Sequence, residues 1–237
     1  MVEVKIITAS CLDGIKSVGT RTIDMVLCNM TLGTMYRKEG EVPLLDYVYS
    51  NGEIQEWLDF VDDRFVRGDN AVEAVSYFID NSSKGLVTEL ERVLKKDGVA
   101  AIITDEPYAS KIREAAGGFY RYDLQIPVDF FIDGPELKSS RLQKTVIILS
   151  KSGVCYNKAP IVRKIKTSED KLLTLLEQLV RAYTEEGNKV LDICMENNKT
   201  GIASVGNKRS YVGVNVRPIV CQNVKEDLDM LLDTVLY

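Results

Sequence analysis

The chain contains no histidine. That absence removes imidazole general acid/base chemistry, Ser-His-Asp triads and histidine metal sites. No uninterrupted apolar run of about 18 residues occurs, so no membrane-spanning helix is expected. The opening MVEVKIITAS lacks the basic segment and apolar stretch of a secretory signal. There is no Cys-x-x-Cys pair: Cys11, Cys28, Cys155, Cys194 and Cys221 are odd in number and scattered, as buried, reduced thiols of a cytosolic protein are. Positive charge is not in excess. The 30 Lys+Arg stand against 35 Asp+Glu, for a net charge of −5 and a pI of about 5.1. A protein that relies on many phosphate contacts carries a basic surface, so strong free-standing nucleic-acid binding is not expected. The acidic clusters at 59–63 and 226–229 read as solvated helix faces, too sparse for a DNA-mimicking stripe.

What remains is the composition of an ordinary folded protein, with 45% hydrophobic and 27% charged residues over 237 positions. No repeat or low-complexity tract divides it, so a single domain over 1–237 is expected. Strands are predicted at 2–8, 22–28, 99–103, 145–149, 190–194 and 211–216. Several of these are near-continuous apolar runs, as parallel strands buried on both faces are. The stretch 34–51 is turn-rich, and a helix begins near Glu53 with Ile54, Trp57, Leu58 and Val61 on one face. Ser82-Ser83 caps a second helix that runs to Lys95-Lys96-Asp97-Gly98, where the lysines suit the negative end of the dipole. Pro107 opens a third helix, ending at Gly117-Gly118, and Ser168 caps a fourth through Leu172, Leu175, Leu176, Leu179 and Val180. A short helical segment at 200–205 and an acidic amphipathic helix at 224–236 complete the series. Strand and helix alternate, which predicts an α/β fold with a largely parallel sheet flanked by helices. The unit at 190–216 has the strand–turn–helix–strand form of a mononucleotide-binding element.

Three segments, in order, resemble the amino-methyltransferases of the DNA adenine and cytosine type, in which the catalytic motif precedes the cofactor motif. ASCLDGIKSVGTRTIDMVLCNMTLGT (9–34) is similar to the family opening. DEPYASKIREAAGGFYRYD (105–123) is similar to its E-P-F segment. KLLTLLEQLVRAYTEEGNKVLDICMENNKTGIASVGNKRSYVGVNV (171–216) is similar to its cofactor-binding unit. The resemblance covers about half the chain and implies a Rossmann-like methyltransferase fold.

The departures fall on the working residues. Where the family has D/N-P-P-Y/F to hold and stack the target base, this chain has Asn29-Met30-Thr31-Leu32. Asn29 keeps one hydrogen-bonding group, while both prolines and the aromatic platform are absent. Where the family has D-P-F-x-G-x-G beside S-adenosylmethionine, this chain has Asp192-Ile193-Cys194-Met195-Glu196-Asn197-Asn198. Asp192 is retained. Glu196 and Asn198 replace the glycines, and asparagine is the least costly substitute where a left-handed backbone is required. Asn215 replaces the carboxylate that takes the ribose hydroxyls, losing charge-assisted strength. Ser10 replaces the early Asp, and only Lys171 survives of the H-P-T-Q-K-P segment. The basic target-recognition insert is trimmed to about 151–166.

The resemblance thus implies Asn29 as a relic of the catalytic loop and Asp192, Thr200 and Asn215 as relics of the cofactor site, with no metal. A lost base stack alone removes ~1–3 kcal/mol. The expectation is a pseudoenzyme of phage or bacterial origin, cytoplasmic, with no cofactor, acting through a protein partner or as a homodimer, as a phage structural, regulatory or anti-defence factor. Two alternatives stay open. One is a divergent S-adenosylmethionine-dependent DNA methyltransferase, and the other a module holding some other small ligand in the old cofactor pocket. Isolated carboxylates have a plainer use, and Asp192 can simply cap the turn that follows it.

Overall fold

A computed structural model describes residues 2–29, 84–126, 144–152, 171–195 and 197–235. Its strands are β1 (Val4–Thr8), β2 (Ile23–Asn29), β3 (Leu94–Asp105), β4 (Tyr120–Ile126), β5 (Lys144–Ser150), β6 (Lys189–Asp192) and β7 (Ser210–Asn215). The helices are α1 (Cys11–Lys16), α2 (Lys84–Val93), α3 (Glu106–Ala115), α4 (Lys171–Tyr183), α5 (Lys199–Val205) and α6 (Pro218–Val235). The strands form one seven-stranded sheet in the order β1-β7-β6-β2-β3-β5-β4. Pairing is parallel from β1 across to β3, and β5 runs antiparallel to both β3 and β4.

Apolar residues on successive positions of β2 face opposite sides of the sheet, because side chains alternate along a strand. Val26 and Cys28 join Leu191, Ile193, Val212 and Val214 under α1, α2 and α3. Met25 and Leu27 join Val99, Ala101, Ile103 and Val190 under Leu175, Leu176, Leu179 and Val180 of α4. A further cluster joins Val205 of α5, Tyr211 of β7 and Cys221, Val224 and Leu228 of α6, with Val4 and Ile6 packed against it. Helices therefore cover both faces, and this is the α/β, mostly parallel arrangement that the alternation of elements predicts. None of the described helices is long and apolar enough to cross a membrane.

Several elements differ from expectation. The helix predicted to end at Lys95–Gly98 stops at Val93, and β3 begins at Leu94. Its register with β2 jumps from Ile23↔Leu94 to Met25↔Val99, so the intervening residues bulge out of the ladder. Lys95 consequently serves no helix terminus; its Nζ lies 2.7 Å from Asp24 Oδ1. β6 ends at Asp192 rather than at Cys194, and α6 starts at Pro218, well before Val224. α1 and β4 have no counterpart in the sequence reading. The predicted helix near Glu53, the Ser82-Ser83 and Ser168 caps and the trimmed insert at about 151–166 fall largely or wholly outside the described residues.

A tight contact, a cap and an arginine fix α1. A Cβ on Gly14 would come within 2.3 Å of Val214 Cγ1, so only glycine lets the helix lie this close to β7. Ser10 caps the helix, accepting the Asp13 N–H at 3.2 Å and donating to Asp13 Oδ2 at 2.9 Å. Arg92 closes the other end, its guanidinium donating to the carbonyls of Ile15 (2.9 Å) and Val18 (2.7 Å).

Candidate functional site at the sheet switch point

Beyond β6 the chain moves outward through α5 to β7, whereas β2 leads away on the other side to β3. Neighbouring strands whose connections diverge open a crevice at their carboxyl ends, the usual ligand position in such sheets. Asn29 ends β2, Asp192 ends β6, and Asn215 ends β7. Ser10 and Cys11 follow β1 on the same edge. The topology thus brings Asn29, Asp192 and Asn215 to one rim, with Thr200 in the first turn of α5 just behind.

Asp192 is almost fully buried. Its Oδ1 accepts the Cys194 N–H at 2.9 Å, capping the turn after β6, and Thr200 stands close enough to favour the ionised carboxyl. Burial pushes its pKa up to about 6, only partly offset by these donors. The Tyr211 hydroxyl lies close enough to favour the ionised carboxylate, yet it makes no hydrogen bond of good geometry and is wholly buried. Burial and the nearby Asp192 charge hold that phenol well above its ordinary range.

Asn215 is equally enclosed, at 1% exposure. Its Nδ2 donates to the Met195 carbonyl, and its Oδ1 accepts the Arg217 N–H at 2.7 Å. The Met195 N–H returns to the Val214 carbonyl at 3.2 Å, so the residues after β6 are stitched to β7. The Met195 side chain is buried, its sulfur where a Cβ on Gly213 would stand, 2.3 Å away. Asn198 adopts right-handed helical angles, φ −81° and ψ −5°, which corrects the expectation of a left-handed position there. Its side chain makes no cap; Nδ2 instead reaches Asp227 Oδ2 of α6 at 2.7 Å. Asn197 Oδ1 accepts the Lys199 N–H at 3.0 Å. Glu196 lies outside the described residues, and Lys171 is described only as the first residue of α4.

One feature of the rim escaped the sequence reading. Cys11, Cys28 and Cys194 arrive from three different elements and share one buried cluster with Ile193 and Val214. Cys11 and Cys28 lie close enough to Cys194 to act on its titration. Burial raises Cys28 and lifts Cys194 further, the neighbouring thiols adding to the second shift. Spacing alone could not reveal this, since the cysteines lie 17 and 166 residues apart. Placing all three at strand ends on one sheet edge could have. Among the described residues, no group of three or more Cys, Asp or Glu side chains is arranged to hold a metal ion.

No protein-family model and no curated protein matches the chain. Solved structures do. A proposed DNA modification methylase of Thermus thermophilus, in complex with S-adenosyl-L-methionine, superposes with a TM-score of 0.61 at 17% identity, covering 98% of this chain and 96% of that one. The M1.HpyAVI complex with the same cofactor gives 0.54 at 16% identity, covering 95% and 100%. The PvuII cytosine-N4-specific DNA methyltransferase gives 0.56 at 14% identity, covering 100% and 93%. The likeness spans nearly the whole length of each of these chains. The chain carries the Rossmann-like fold of the DNA methyltransferases.

Proposed function

We propose that this protein is a methyltransferase-fold pseudoenzyme that acts through protein contacts. The supporting observation is Asn215. At the position where the resemblance expects a ribose-binding carboxylate, both ends of the amide are engaged by backbone and the residue is closed to solvent. A nucleoside would have to displace the groups that enclose this amide before its remaining N–H and lone pair could reach a ribose hydroxyl. Met195 packs across Gly213, and Asn198 is drawn to Asp227, so the loop after β6 is folded onto its own scaffold. The residues present therefore do not fit S-adenosylmethionine in the family's manner. A single domain stripped of its DNA-reading insert, of phage or bacterial origin, paired with itself or with a host or phage protein in the cytoplasm, is consistent with this reading.

A specific observation favours a second reading, a divergent DNA methyltransferase. Asn29 and Asp192 still stand on neighbouring strand ends at the switch point. One experiment separates the two: thermal melting with and without millimolar S-adenosylmethionine, followed by calorimetry. At 100 times its dissociation constant a ligand stabilises the native state by about 2.7 kcal/mol, a shift of several degrees. An unchanged melt is the expected result. A clear shift would overturn the pseudoenzyme reading, and methyl transfer abolished by Asn29→Ala would then establish the second.

A further inference from the structure

We draw no further inference here: the strongest candidate, the surface patch of Ile219 and Met230 exposed on the outer face of α6, is interrupted by the exposed polar side chains of Gln222 and Glu226, and nothing in the structure shows what covers it.

Discussion

Asp192 occupies an unfavourable setting for a charge. It is enclosed on every side by Cys28 of β2, Cys194, Thr200 of α5 and Tyr211 of β7, and its folded pKa of about 6 exceeds the ordinary 3.8. Between those two values the native state binds a proton that the unfolded chain releases. Stability therefore falls as pH rises from about 4 to about 6, and levels off above, by about 3 kcal/mol over the window. Asp192→Asn keeps an acceptor for the Cys194 N–H and removes the charge. Denaturant titrations at pH 4 and pH 7.5 should show the variant gaining on the native chain by roughly that amount at the higher pH. A parallel pH response in both proteins would show that Asp192 is not the group responsible. Asn215 makes the opposite case, since its value lies in bonds rather than charge. Asn215→Leu orphans the Met195 carbonyl and the Arg217 N–H, and should cost about 2–4 kcal/mol in the same titration. A loss below about 1 kcal/mol would mean that water replaces the amide, and the closed-loop argument would fail with it.

Among the elements, α1 shows how closely this rim is assembled. The helix has only six residues, so isolated helix propensity contributes little and packing decides its place. Gly14→Ala adds helix propensity worth about 1 kcal/mol. Against that, the methyl meets a buried, β-branched Val214 on the strand that carries Asn215, which cannot retreat without moving the sheet. Overpacking of this kind costs about 1–3 kcal/mol, so a net destabilisation with a lower melting temperature is expected. A melt equal to or above that of the native chain would show that β7 yields. α1 was not legible beforehand because CLDGIK carries a mid-segment glycine and too few turns to display a helical period. β4 was missed for a related reason, since YRYDLQI alternates only weakly and sits in a segment read for its family motif. By contrast β2, β6 and β7 were plain, each a buried apolar run bounded by turn residues. The site was half legible. Resemblance put Asn29, Asp192 and Asn215 on one rim. The closure of the loop by Asn215 and Asp227, and the meeting of three thiols, depend on contacts between residues up to 183 positions apart, for which the sequence holds no local signal.

The molecule as a whole shares its fold with solved DNA methyltransferases, and its net charge is acidic. Several of the described cations are committed within the chain. Arg92 closes α1, Lys95 pairs with Asp24, Lys151 donates to the Leu94 carbonyl, Lys208 faces Glu186 and Lys225 holds Asp229. Arg209 is buried, its guanidinium bound to Thr184, and burial lowers its pKa. With a net charge of −5, little positive field remains to attract a polyanion, and each absent phosphate contact forfeits a released counterion. Fluorescence anisotropy with a labelled duplex at about 0.15 M salt should therefore show no saturable binding up to ~10 μM protein, weaker than the tighter end of ordinary non-specific DNA binding. Lowering the salt should strengthen any residual signal only weakly, because few counterions would be displaced. Saturable binding with a steep salt dependence would overturn this reading and favour the divergent DNA methyltransferase.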